Sequence, residues 1–291
     1  MSIAIVLILM AIGTVVFHFM SPWWWTPIAS NWGYIDDTII LTFWITGVVF
    51  IAVVLFVAYC CIRFRYQKNR RAQYKPENAK LEWWLTGLTS VGVVAMLTPG
   101  LFVWNQFISV PPGAAEIEVL GKQWEWTFRY PGQDGKLGTS DPRNVKDNNP
   151  FGIDTKDPNG QDDVLVDGED MHIPMGKPIK ILLRSLDVLH DFYVPEFRAK
   201  MDIVPGLVTY FWFTPTRTGT FDIMCFELCG IGHYSMRSKV VVQTEGDYRA
   251  WLQKQTTFKQ SLVAAARGKQ NVVDLALNGK PAGTGEKGTA P

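Results

Sequence analysis

The sequence predicts a membrane-anchored α + all-β protein: a transmembrane helical hairpin with an extra helix before it, followed by an external Greek-key β-sandwich. Three observations predict this. Uncharged stretches long enough to span a membrane are confined to the first 115 residues, short alternating runs begin at Glu116, and Gly and Pro signals separate those runs.

No formal charge occurs from Met1 to Ile35, and Ile3 to Met20 is just long enough to cross a hydrocarbon core of about 30 Å. Residues 1–22 therefore read as a first transmembrane helix or as a secretory signal. A basic n-region and an A-x-A cleavage pattern are both missing, which favours a retained helix. The stretches Thr38–Ile62 and Trp83–Ala115 supply the hairpin, placed at 38–106. Its connecting loop, 63–81, holds Arg63, Arg65, Lys68, Arg70, Arg71, Lys75 and Lys80 against Glu77 alone. By the positive-inside rule that loop is cytoplasmic, or lies in the mitochondrial equivalent, and everything after residue 107 lies outside.

The external domain is placed at 107–256. The runs EIEVLGKQWEWTFRY, KPIKILLRSL, GLVTYFWFTP, GTFDIMCF and SKVVVQT are rich in β-branched and aromatic residues and read as strands of a small antiparallel sandwich or barrel. Residues 131–163 are rich in Gly, Pro, Asn and Asp and read as a long surface loop. Thr244 is placed to cap a short helix reaching about Gln255, and residues 257–291 read as a polar tail.

The 291 residues carry a formal net charge of +1, so no electrostatic case for nucleic acid exists, and no nucleic-acid-binding signature is present. Four cysteines, paired as Cys60 with Cys61 and Cys225 with Cys229, exclude a dense disulfide scaffold. Cys60 and Cys61 have no companion ligands nearby and read as buried apolar residues. Of the four histidines, His18 and His172 receive no role, whereas His190 and His233 belong to the informative pattern.

That pattern is Cys225-Phe-Glu-Leu-Cys229-Gly-Ile-Gly-His233-Tyr-Ser-Met236, preceded by His190 in LDVLHDFYVPEF. Thiolate, imidazole and thioether are soft donors, a set that selects copper over calcium, magnesium or manganese. A single copper needs only one Cys with two His and a Met. Two thiolates separated by three residues on one loop can bridge a pair of coppers, leaving one His for each metal, with Met236 and the Glu227 carbonyl as weak outer ligands. Cys225 and Cys229 have a plainer reading as a disulfide in an oxidising compartment. Zinc is the weaker rival, because Met is a poor zinc ligand.

The run Cys225-x-Glu227-Leu-Cys229-Gly-x-x-His233-x-x-Met236 resembles the binuclear copper loop of cytochrome c oxidase subunit II. Asp187-Val-x-His190, Val194-Pro195 and Lys200-x-Asp202-x-x-Pro205-Gly206 are similar to the same family, and the resemblance covers roughly residues 38–255. It implies a cupredoxin-like external domain and a two-copper, CuA-type centre held by His190, Cys225, the Glu227 carbonyl, Cys229, His233 and Met236. It also implies that the Glu227 side chain helps bind a magnesium ion shared with the catalytic subunit.

In the family, the first Trp of the segment resembling Gly121-Lys-Gln123-Trp124-Glu-Trp126 receives electrons from cytochrome c. By periodicity alone, Trp124, Trp126, Phe128 and Tyr130 alternate and read as one packed face of a strand. Glu82 matches a family glutamate at the mouth of a proton path; its plainer reading is a solvated helix-end carboxylate that complements the helix dipole. Asp187, beside His190, sits where the family docks its donor; the acids from Asp134 to Asp170 would complement a basic cytochrome c, and their plainer reading is as solvated surface carboxylates. Departures from the family are Lys122 where His is frequent, Leu85 in place of a usual Trp, and the extra first helix.

The resemblance thus implies the electron-transfer subunit of a terminal oxidase in the bacterial inner membrane, with its copper domain periplasmic. Its partners would be cytochrome c, a haem-bearing catalytic subunit I and other oxidase subunits, with oxygen reduced to water in subunit I. Two alternatives stand beside it. A quinol oxidase subunit II would tolerate loss of the copper ligands, all of which are present; a membrane-anchored copper chaperone would show a thioredoxin-like βαβ pattern and a single anchor.

Overall fold

A computed structural model of the chain describes residues 2–21, 26–71, 74 and 76–267. Lys75 of the basic loop and residues 268–291 of the polar tail lie outside the described residues. The chain divides into two compact units: residues 1–28 with 32–109, and residues 29–31 with 110–291.

The first unit holds three helices: α1 (Ser2–Met20), α2 (Gly33–Arg63) and α3 (Ala79–Ile108). All three are long and apolar enough to cross a membrane, and most of their apolar side chains face outward, as lipid- or protein-facing helices require. The small residues Ala4 and Ala11 of α1, and Val54 and Ala58 of α2, are buried, and the imidazole of His18 lies 6.0 Å from the Phe43 ring. The α2 helix starts five residues earlier than the uncharged stretch because Asp36 and Asp37 are accommodated in its first turns. Cys60 and Cys61, expected to be buried, are half-buried at its end.

The second unit is a sandwich of two five-stranded sheets. Its strands are β1 (Ala115–Lys122), β2 (Glu125–Tyr130), β3 (Val164–Asp167), β4 (Met171–Pro174), β5 (Ile179–Ser185), β6 (His190–Val194), β7 (Ala199–Ile203), β8 (Thr209–Phe213), β9 (Gly219–Cys225) and β10 (Arg237–Gln243). One sheet has the order β3-β2-β1-β5-β8 and the other β4-β10-β9-β6-β7. The expectation of a purely antiparallel sandwich is corrected at two ladders, since β1 pairs with β5 and β4 with β10 in parallel. A parallel pair needs a crossover rather than a hairpin; β2 to β4 with the long 131–163 connection lie between β1 and β5, and β5 to β9 lie between β4 and β10. Alternate residues face inward: Ile179, Ile181 and Leu183 from one sheet, and Ile223, Phe192 and Val240 from the other, are all at most 1% exposed.

The single run EIEVLGKQWEWTFRY folds as two strands, β1 and β2, paired from Glu118↔Arg129 to Lys122↔Glu125. Gln123 and Trp124 form the turn, across a cis peptide bond. Trp126, Phe128 and Tyr130 are buried as their alternation implies, whereas Trp124 lies outside the strand and is 36% exposed.

Residues 131–163 are not a purely surface loop. Asp141 and Asp157 cap two short 3-10 turns, and Phe151 and Ile153 form a satellite core with Leu120 and Phe258. The scarcity of apolar residues in this stretch concealed its anchoring, because two well-placed apolar side chains are enough to fix a loop to a sheet. The fixing point is Arg129 on β2, 1% exposed, which bonds Glu118, Asp163, Ser140 and the Gly138 carbonyl. Phe258 also shows that the external unit continues past residue 256; its N–H donates to the Asp163 carbonyl at 2.7 Å. The expected short helix is present as α4 (Glu245–Leu252), with the Thr244 hydroxyl accepting from the Asp247 N–H.

Candidate metal centre

Three pieces of backbone converge at one end of the sandwich: the start of β6, the β1–β2 turn and the loop from β9 to β10. His190 opens β6 and pairs with Ile203 on β7, while Phe192 pairs with Cys225 at the end of β9. The chain after Cys225 turns back within eleven residues to begin β10, with the Cys225 N–H donating to the Met236 carbonyl. This closure brings Cys225, Cys229, His233 and Met236 together, because β9 and β10 are antiparallel neighbours.

The donor atoms gather around the two sulfurs. Cys225 Sγ lies 3.7 Å from Cys229 Sγ, far beyond the roughly 2.05 Å of a disulfide, and both thiols are free. His190 Nδ1 is 3.9 Å from the Cys225 sulfur, and His233 Nδ1 is 3.5 Å from the Cys229 sulfur. The Glu227 carbonyl oxygen lies 3.2 Å from Cys225 Sγ, and Met236 Sδ lies 3.8 Å from Cys229 Sγ. Each sulfur thus has one imidazole beside it and one weaker donor behind it. Soft donors in this number exceed what one tetrahedral zinc uses and fit a soft transition metal. Among the described residues, His190, Cys225 and Cys229 form one buried group able to hold a metal ion.

Burial raises the Cys225 thiol, yet the His190 contact and hydrogen bonds with backbone around Asp191 and Glu227 outweigh it and bring the pKa down to about 6. Burial lifts Cys229, and the neighbouring Cys225 sulfur lifts it further, up to about 12. The pair gives up its first proton easily and holds the second, as two close like charges must without a cation between them.

His190 is held by Asp187. The Asp187 Oδ1 accepts from His190 Nε2 at 2.8 Å and from the Val188 N–H at 2.7 Å, while its Oδ2 accepts from the Gln123 N–H at 2.7 Å. A proton on Nε2 leaves the Nδ1 lone pair facing the sulfurs, the arrangement metal-ligating histidines use. Burial works against the Asp187 carboxylate, but these hydrogen bonds prevail and its pKa is lowered. Both oxygens of Asp187 are thus engaged by groups around the site, and its side chain is 29% exposed.

Gln123, which sequence reasoning passed over although it lies in the quoted motif, ties the turn to the loop: its Nε2 donates to the Cys229 carbonyl at 2.7 Å. The Trp124 indole N–H donates to the same carbonyl at 3.3 Å. Trp126 forms a wall, its ring edge-on to His190 at 6.3 Å, and a Cβ on Gly121 would meet both rings at 3.2 and 3.3 Å. Of the remaining sequence candidates, Glu227 is half-buried on the loop. Glu82 is far along the chain, on the first unit, where its Oε1 accepts from the Asn78 N–H at 3.3 Å while Asn78 caps the Leu81 N–H. That is a reciprocal helix cap. His172 is a packed structural residue, stacked on Trp251 at 4.3 Å and bonded to Gln243.

A family model described as cytochrome c oxidase subunit II, periplasmic domain, matches residues 115–244. The alternative cytochrome c oxidase subunit 2 of Bradyrhizobium diazoefficiens is 62% identical over 278 residues, covering 96% of this chain and 99% of that relative. The cytochrome c oxidase subunit 2 of Cereibacter sphaeroides is 27% identical over 270 residues, covering 89% and 83% respectively. Among solved structures, the periplasmic domain of subunit II of cytochrome oxidase from Bradyrhizobium japonicum is 30% identical with a TM-score of 0.37, covering 50% of this chain and 95% of that one. Shared identity of 62% along nearly the whole of both chains makes this chain a member of the cytochrome c oxidase subunit II family.

Proposed function

We infer that this subunit receives electrons from a cytochrome c outside the membrane at a two-copper centre and delivers them to a haem-bearing catalytic subunit I. The observation that carries this reading is the convergence of two free thiols 3.7 Å apart with one imidazole beside each. The ligands are His190, Cys225, the Glu227 carbonyl, Cys229, His233 and Met236. When bound there, a pair of copper ions would supply a one-electron carrier whose charge is shared over two nuclei.

The chain's own residues prepare the site for that task. Burial of Cys225 and Cys229, at 7% and 3% exposure, keeps water from the sulfurs, and the Asp187 hydrogen bond fixes His190 before any ligand arrives. A donor set that does not rearrange keeps the cost of changing charge small. Trp124 is the residue through which electrons arrive: it is partly exposed, and its indole N–H reaches the carbonyl of a ligand cysteine. Asp187, through its exposed fraction, is the acid that meets the donor's basic face. The Glu227 side chain is left for a magnesium ion at the boundary with subunit I, and Glu82 for the mouth of a proton path. The positive charge of the basic 63–81 loop supports a cytoplasmic loop and a periplasmic sandwich in the bacterial inner membrane.

The chaperone alternative fits poorly with a two-sheet sandwich and three apolar helices, and the quinol oxidase alternative needs none of the six donors. Electron paramagnetic resonance on the assembled oxidase tests the reading. Hyperfine structure from one electron shared equally by two coppers is expected, and either Cys225→Ser or Cys229→Ser should abolish it. A single-copper signal, or no copper signal from this subunit, would overturn it.

A further inference from the structure

The loop between Cys229 and His233 carries two glycines, and they are glycine for different reasons. Gly230 has φ +121°, in the region that L side chains rarely adopt. Gly232 has φ −90° and ψ 9°, in the bridge region that residues other than glycine also adopt at the third position of type I turns. Its backbone does not demand glycine. What excludes a side chain is the Trp124 indole: a Cβ at position 232 would lie within 2.7 Å of ring atoms Cγ and Cε3, and closer still to Cδ2. The ring lies over the stretch 230–232, since a Cβ on Gly230 would also stand 3.3 Å from Trp124 Cζ2. In that position the indole N–H reaches the Cys229 carbonyl.

We propose that Gly232 is a positioning residue for electron arrival: the bare backbone there is the seat on which the Trp124 indole rests against the copper loop. This rests on the reading of Trp124 and the copper pair given above. A single methyl group at 232 would need at least the ordinary 3.4 Å from the ring, so the indole must lift away and its 3.3 Å hydrogen bond to Cys229 must lengthen. The three atoms that such a methyl would meet first all belong to the Trp124 ring. The consequence is specific to the route between donor and metal. A misplacement on the order of 1 Å at a reacting group can slow a step by roughly a hundredfold, which bounds the effect.

The test is Gly232→Ala in the assembled oxidase, alone and combined with Trp124→Ala, with reduction by cytochrome c followed in stopped flow. The expected result is an unchanged two-copper resonance spectrum, electron arrival slowed by roughly tenfold or more, within the range expected for displacement of a reacting group, and no further loss when Gly232→Ala is added to Trp124→Ala. An unchanged rate in Gly232→Ala, where Trp124→Ala alone is slow, would overturn the seat while leaving the Trp124 reading intact. An equal slowing in both backgrounds, or a lost copper spectrum, would also overturn it, because the methyl would then act on the loop itself. If Trp124→Ala is itself silent, the arrival reading fails and the seat fails with it.

Discussion

Arg129 offers a quantitative test of what holds the external unit together. Its guanidinium is 1% exposed and makes five hydrogen bonds: two to Asp163 at 2.9 and 2.5 Å, and one each to Glu118 and Ser140 at 2.7 Å and to the Gly138 carbonyl at 2.5 Å. In Arg129→Met the apolar stem is kept and the charge removed. Glu118 retains Arg184 as a partner, but Asp163, 0% exposed, keeps only the Gly138 N–H at 3.2 Å on its Oδ2. Breaking a buried pair in this way costs about 3–5 kcal/mol. For a unit of this size that corresponds to a fall in melting temperature of roughly 6–20 °C.

The loss should also depend on pH. Burial lifts the Asp163 carboxyl to about 6, against the pull of Arg129. Its folded pKa is thus above the unfolded value, so the folded chain holds the proton more tightly and stability falls as pH rises from about 4 to about 6. Without Arg129 the folded pKa rises further, and the extra loss falls at pH values above about 6. The full chain in detergent, melted while near-ultraviolet circular dichroism is recorded, should show a smaller deficit at pH 5.5 than at pH 8. A variant that melts within 2 °C of the original at both pH values, less than the smallest shift expected per kcal/mol, would refute the reasoning.

Asp187→Ala removes the anchor of His190 and should lower copper affinity roughly 10- to 100-fold, read as earlier loss of the copper spectrum in a chelator titration; unchanged retention would mean that packing by Trp126 alone orients the imidazole. Glu82→Gln keeps an acceptor for the Asn78 N–H but removes the charge, so the proton-path proposal expects slower proton-coupled turnover with an unaltered copper spectrum. Turnover equal to the original would leave Glu82 as a helix cap and nothing more. Phe151→Ala should cost about 3–5 kcal/mol by emptying the satellite core, measurable as a lowered melting point with copper still bound below the transition. A loss under 1 kcal/mol, well short of that range, would show that the loop is held by Arg129 alone.

The helices, the basic loop and the strand-rich half were legible because each rests on a local pattern: uncharged length, charge bias, alternation. The soft donors that gather at the candidate metal centre were legible because Cys, His and Met at short spacing on one loop have few other uses, and His190 because it precedes them in a segment that resembles a family motif. What only the tertiary structure decided lies between segments far apart in sequence. Nothing local tells Asp187 to turn inward toward His190 and Gln123, or tells Gln123 to reach 106 residues along the chain to the Cys229 carbonyl. Trp124 alternates with Trp126 and Phe128 on paper, yet the β1–β2 turn takes it out of the strand and lays it on the loop. The two parallel ladders and the buried Arg129 cluster escaped for the same reason, since a strand's partner and a charge's counterion are fixed by long-range packing. Residue type and spacing select the chemistry a segment is able to perform; which atoms meet is settled only when the two sheets close on each other.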